Sequence, residues 1–245
     1  MKVIKQPSSD PPRILFIGNS QFSVWDVPGM VQKLSGSGRP LLCEGCLVGG
    51  AWLQTHLENS RTWDKLETGN WDMVVLQEHY RAPEDGASRR KFTVAASAFY
   101  EKIVKISALP VLYASPNSES NGPEGFAAIH SLNLELARKL DIVLAGAGAA
   151  CLRVWKKMPD LDLHDKDRAH PNYKASYIGA CVLYATLTGQ SPIGLPISCM
   201  KDLISEDEAL LFQTAAWNEC QEANAVVQKR RNSGQNKTIA LHPCQ

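Results

Sequence analysis

The chain has 245 residues, 44% hydrophobic and 21% charged, with 26 basic side chains against 25 acidic ones and a formal net charge of +1. That length can bury a full α/β core, and near-neutrality excludes a generic nucleic-acid or membrane-surface binder, which needs concentrated basic charge. Met1 to Pro12 is polar and lacks the apolar core of a signal peptide, and no apolar run approaches the roughly 18 residues of a membrane span, so the expectation is a cytoplasmic protein.

Four apolar residues, Ile14 to Ile17, predict a buried first strand that ends in the turn Gly18-Asn19-Ser20. Val24 to Leu34 has near-helical spacing and stops at the turn Ser35 to Pro40. Leu41 to Val48 reads as a second strand closed by Gly49-Gly50, and Trp52 to Leu66 as a helix. A third strand over Trp71 to Gln77 leads through a polar loop into a helix from about Ser88 to Ser107. Leu109 to Ala114 is the fourth strand, followed by Ser115-Pro116-Asn117, a helix over Phe126 to Leu140 and a fifth strand over Asp141 to Ala145. Helices over Ala147 to Lys157, Tyr173 to Thr188 and Ser205 to Lys229 complete the pattern.

This alternation of short apolar strands with helices predicts an α/β fold with an approximately five-stranded parallel sheet covered on both faces. The expected organisation is one domain over 13–230, with a flexible segment over 1–12 and a loose tail over 231–245. The count of seven cysteines is odd and they are scattered, unlike a disulfide framework. Cys43 and Cys46 have zinc or redox spacing, but no second Cys/His pair completes a site and they lie in an apolar run, so buried thiols are expected.

Ligands of such folds bind at the carboxyl ends of strands. Asn19 and Ser20, Gly49 and Gly50, Gln77 to His79, and Ser115 to Asn117 follow successive strands there. Ser20 reads either as a nucleophile presented by the first turn or as the cap of the next helix. A later stretch, Asp167-Arg168-Ala169-His170-Pro171, supplies what a serine nucleophile needs: a base to take its proton and a carboxylate to orient that base.

Ile17-Gly18-Asn19-Ser20, the glycine after the second strand, the polar block after the third and Asp167-x-x-His170-Pro171 together resemble the SGNH (GDSL-like) hydrolase superfamily. The resemblance spans roughly Arg13 to Pro196. It implies a flavodoxin-like, three-layer α/β/α fold and hydrolysis of esters, often acetyl groups on carbohydrates. Carried over by position, Ser20 is the nucleophile, His170 the general base and acid, and Asp167 its orienting carboxylate. The oxyanion hole takes the N–H groups of Ser20 and Gly50, with Gly49 one residue away. The usual third block, Gly-x-Asn-Asp, is replaced by Val75-Leu76-Gln77-Glu78-His79. Gln77 is the candidate third donor because its amide resembles that of Asn, and His79 is its competitor. The expected partner is a small-molecule or carbohydrate ester, without cofactor, metal, nucleic acid or membrane.

Competing readings have their own residues. Asp162, His164, Asp165, Asp167 and His170 are dense enough to suggest a divalent metal. The altered third block leaves room for an inactive scaffold. A nucleotide site is disfavoured, because Gly18 to Ser23 lacks a phosphate-binding glycine pattern, and no Gly-x-Ser-x-Gly elbow occurs. The tryptophans read mainly as core or rim, with Trp25 and Trp52 closest to the expected pocket. His56 reads as structural, and Lys229-Arg230-Arg231 as a solvated helix end.

Overall fold

The computed structural model describes residues 10–36, 40–116, 122–196 and 203–232, with side chains described as far as 223. Parts of both expected terminal segments, the middle of the 35–40 turn, Asn117 and the Lys229-Arg230-Arg231 side chains lie outside the described residues.

Alternation of buried side chains builds the sheet. In β1 (Arg13–Gly18), Ile14 and Phe16 enter one core cluster while Leu15 and Ile17 enter the other, as a strand covered on both faces requires. The alternation recurs in β3 (Met73–Gln77) and β4 (Leu109–Tyr113), where Val75, Val111 and Tyr113 oppose Val74, Leu76 and Leu112. With β2 (Leu42–Leu47) and β5 (Val143–Ala145) they form a five-stranded sheet in the order β2-β1-β3-β4-β5. Every pairing is parallel. Cys43 and Cys46 pack into opposite clusters, so the sheet itself separates their thiols, and burial pushes the Cys43 thiol up to about 12.

The single helical turn α1 (Ser20–Ser23) and α2 (Val27–Ser35) follow β1. The helix expected from Val24 starts later because Asp26, in the left-handed region at φ 48°, caps α2 by accepting from the Gly29 N–H. The helix expected over Trp52 to Leu66 is two, α3 (Leu53–Leu57) and α4 (Ser60–Thr68). Its apolar stripe continues through the break, but the Asn59 side chain accepts from the Arg61 N–H and starts a new helix. Then come α5 (Gly86–Lys105), α6 (Gly122–Leu140), α7 (Ala147–Trp155), α8 (Tyr173–Thr188) and α9 (Glu206–Asn232). The core on one sheet face includes residues of α1, α2, α7, α8 and α9, and that on the other includes residues of α3, α4 and α5. α6 contributes to both, through Phe126 to the first and Ile129 and Leu136 to the second.

Connections from β1 leave toward β2 on one side, whereas β3 lies on the other side of β1. A crevice therefore opens between β1 and β3 at the carboxyl edge. Among the described residues no helix is long and apolar enough to cross a membrane.

α8 is buried on nearly every side, packed between the sheet and α9. At Gly179 it comes so close to β4 that an added Cβ would lie 2.2 Å from the Tyr113 hydroxyl. Alanine normally gains about 1 kcal/mol over glycine in a helix, but Tyr113 is itself buried and has nowhere to go. Gly179→Ala should therefore destabilise the fold by about 1–3 kcal/mol, read as a lower urea midpoint; an unchanged or higher midpoint would contradict this packing.

Candidate active site

The turn after β1 is pinned before the serine is placed. Asn19 is buried and extended, at φ −129° and ψ −155°. Its backbone N–H donates to Gln77 Oε1 at 2.8 Å, and its side-chain Nδ2 donates to the Ala51 carbonyl at 2.8 Å. Its Oδ1 accepts from the Gln21 N–H at 3.0 Å, so Asn19 is the helix cap and Ser20 is the first helical residue. The Gln21 and Phe22 N–H groups both bond back to Asn19, leaving the Ser20 N–H without a partner among the described residues. A Cβ on Gly18 would lie 2.5 Å from Gln77 Oε1, which explains a residue without a side chain there.

His56 supports the same turn from below. Its Nε2 lies 2.8 Å from the Gly18 carbonyl, which can only accept, so Nε2 carries the proton and Nδ1 accepts from the Thr62 hydroxyl at 3.0 Å. Burial lowers its pKa, with the Gly18 bond acting the other way.

Asp167 and His170 lie on the segment between α7 and α8. Asn172 caps α8 by accepting from the Ala175 N–H, and its amide donates to the Asp162 carbonyl. An antiparallel bridge joins His164 to Pro171, and the Asp165 N–H donates to the His170 carbonyl at 2.8 Å. Two side chains beyond Ser20 tie this loop down: Trp25 Nε1 donates to Asp165 Oδ2 at 3.2 Å, and Gln21 Nε2 reaches the Ala169 carbonyl at 3.4 Å.

The loop delivers its histidine to the serine. His170 Nε2 is 2.7 Å from Ser20 Oγ, and His170 Nδ1 is 2.5 Å from Asp167 Oδ2. Asp167 Oδ1 accepts from the N–H groups of Ala169 and His170, both at 3.0 Å. Hydrogen bonds from the backbone and ring of His170, then from Ala169, hold this carboxyl down at about 2, so it is charged at any working pH.

Val48 to Ala51 makes a tight turn closed by the Ala51 N–H on the Val48 carbonyl at 3.1 Å. Gly50 occupies its third position at φ 67°, which favours glycine. Gly49 and Gly50 both face open space on the side where a Cβ would stand.

The block formed by the last residue of β3 and the two after it divides into distinct jobs. Gln77 is fully buried: its oxygen accepts from Asn19 and its Nε2 donates to the Glu78 carbonyl. His79 is half-buried, with its ring stacked on Trp52 at 4.6 Å and 10° and on Tyr80 at 4.6 Å and 25°. Its Nδ1 accepts from the Arg81 N–H at 3.2 Å, which puts the ring proton on Nε2. Burial and then Arg81 lower its pKa, and His170 is close enough to add to that effect. Glu78 is 5% exposed; its Oε1 accepts from Leu53 and His79 N–H groups, and its Oε2 has no partner among the described residues.

The dense Asp/His stretch does not gather around one point. Asp162 accepts from Arg168 and from the His164 N–H, Asp165 holds Trp25, and His164 packs edge-on against Phe126. Among the described residues no three His, Cys, Asp or Glu side chains converge as a metal site.

No protein-family model and no curated protein sequence matches the chain. Solved structures do match it in shape. A protein from Slackia heliotrinireducens described as an SGNH hydrolase superposes with TM-score 0.59 at 22% identity, over 73% of this chain and 100% of that one. The fold is that of the SGNH hydrolases. A DUF4886 family protein from Bacteroides uniformis shares it with TM-score 0.69 at 17% identity, over 94% of this chain and 98% of its own. Axe2, an acetylxylan esterase from Geobacillus stearothermophilus, does so with TM-score 0.53 at 12% identity, over 76% and 95%.

Within this SGNH fold, sequence reasoning placed Trp25 near the expected pocket but had no signal for the ties that Gln21 and Trp25 make to the distant loop, because a partner 140 or more positions away leaves no local pattern. It also passed over Glu78, whose only mark was a carboxylate directly after an apolar strand. Burial raises the Glu78 pKa from 4.5 to about 7, with the backbone bonds from His79 and Leu53 opposing the shift. The folded protein therefore holds this proton longer than the unfolded chain does. Stability should fall as pH rises from about 4.5 to about 7, by at most about 3 kcal/mol. Melting temperatures of wild type and Glu78→Gln across that range check the sign: the variant should lose less stability, and parallel curves would contradict it.

Proposed function

We propose that the protein is a serine esterase acting on a carboxylic ester, of the kind found as an acetyl group on a carbohydrate or small metabolite. The observation that carries this reading is the continuous hydrogen-bonded chain from Ser20 Oγ through His170 to Asp167. A hydroxyl just past the carboxyl end of a buried strand becomes a nucleophile only with a base in contact, and the base needs its tautomer set from behind. The SGNH fold and the acetylxylan esterase among its structural neighbours support the reaction class.

In this mechanism Ser20 Oγ attacks the ester carbonyl while His170 Nε2 takes its proton. The charged imidazolium is stabilised by Asp167. Negative charge on the carbonyl oxygen is met by the N–H groups of Ser20 and Gly50. His170 then protonates the departing alkoxide, leaving an acyl group on Ser20. Water, activated by His170, attacks that acyl-enzyme and releases the acid.

For the third oxyanion donor, the surroundings favour His79 over Gln77. The Gln77 amide has no exposed surface and its two ends are engaged with Asn19 and Glu78. His79 has an Nε2–H not needed by its own loop, beside Trp52 two residues after Gly50.

A fluorophosphonate should add to the intact mass of the wild-type protein and not to Ser20→Ala; equal labelling, or none on wild type, overturns the nucleophile. His79→Phe keeps a ring for the stack but removes the donor. It should lower kcat on a short-chain aryl ester by about 100- to 1000-fold, and a near-normal kcat would return the role to another group.

A further inference from the structure

We propose that Glu78 is a positioning residue that holds the two loops bearing the oxyanion donors at a set separation. The inference rests on the esterase reading above. Glu78 follows β3 directly, and one of its oxygens, Oε1, accepts from two backbone amides on different segments. The Leu53 N–H approaches at 3.1 Å and the His79 N–H at 2.6 Å.

Both bonds lie close to the groups that meet the developing charge. Leu53 opens α3, where an amide has no partner within its own helix, and only Ala51 and Trp52 separate it from Gly50. The other amide belongs to His79 itself. The side chains repeat the pairing, since the rings of Trp52 and His79 are stacked at 4.6 Å. A single acceptor shared by the two segments means that neither can shift without moving the other or breaking a bond.

The arrangement is poorly explained by stability alone. The residue is 5% exposed and its second oxygen has no partner among the described residues, so half of its carboxyl group is buried without a hydrogen bond there. Such a group costs free energy. What it achieves is registration. The Asn19 amide ties Ala51 to the nucleophile turn, and Glu78 ties the next turn of chain to His79. Donors held this way meet the oxyanion without rearranging, which is what gives such donors their effect.

The test compares Glu78→Ala with Glu78→Gln, whose amide oxygen can still accept from both N–H groups. Turnover of an aryl acetate is expressed per site titrated with a fluorophosphonate, so that unfolded protein does not count. Glu78→Ala should lower kcat by about 10- to 100-fold, the range expected for a misplaced group, with KM within about threefold of wild type. Glu78→Gln should recover kcat to within about fivefold. A Glu78→Ala kcat equal to wild type, or a Glu78→Gln as impaired as the alanine variant, overturns the proposal.

A second readout does not depend on activity. In amide-resolved NMR spectra, the Leu53 and His79 protons should lie downfield in wild type and Glu78→Gln, and both should move upfield together in Glu78→Ala. If both stay in place in Glu78→Ala, the brace is refuted. Should wild type leave the ester and the fluorophosphonate untouched, the esterase reading alone falls, and the two amides still decide the brace. Glu78→Ser, too short to span both amides, replaces the alanine variant if that one does not fold.

Discussion

A buried asparagine one residue before Ser20 carries more of this architecture than Ser20 does. Asn19 spends its backbone N–H on Gln77, its amide N–H on Ala51 and its amide oxygen on Gln21. Those partners lie at the last residue of β3, after β2 and in α1, so one residue joins three parts of the chain at the carboxyl edge of the sheet. Each bond is buried, where losing a partner leaves a polar group stranded at a cost of about 1–3 kcal/mol. With the turn held this way, the backbone of Ser20 has a set place after β1, and the distant His170 needs only to be brought to its hydroxyl.

The delivery of His170 is a second, separate problem, solved by a loop that is rigid for local reasons. Asn172 caps α8, the Asp165 N–H donates to the His170 carbonyl, and Asp167 folds back on the amides of the two residues after Arg168. Arg168 takes a left-handed conformation at φ 58° to allow this fold-back. The Asp-to-His spacing is therefore a turn whose carboxylate is already engaged before it meets the imidazole. Trp25 and Gln21, both just beyond Ser20, dock the loop against the first turn.

The residues at the end of β3 and just past it show how burial, more than side-chain chemistry, decides which groups stay accessible. Gln77 carries an amide, the group best suited in principle to meet an oxyanion, yet the sheet buries it and the Asn19 N–H claims its oxygen. Alternation places Gln77 at the strand's end against Gly18, the position where no side chain fits opposite it. Two residues later the chain has left the sheet, and His79 lies half-exposed between two aromatic rings with its tautomer set by the Arg81 amide. Glu78 between them turns toward the backbone of both flanking loops.

The sequence by itself determined the elements and their order. Apolar runs such as Ile14 to Ile17 and Val74 to Leu76 are too short for helices and too apolar for edges, so they announced a parallel sheet covered on both faces. The spacing of Asp167 and His170 announced a carboxylate within local reach of the imidazole, because a step of three residues fits one helical turn or a compact loop. Helix breaks were harder to read: the stripe over Trp52 to Leu66 is periodic straight through Asn59, and the cap that divides it depends on one side-chain bond. Only the tertiary structure decided which polar residues after the strands face each other. Bringing Ser20 within 2.7 Å of His170 spans 150 positions in the chain, and no local pattern encodes that. Likewise the difference between Gln77 and His79 is one of burial, set by where β3 ends against β1 and not by either residue's own chemistry.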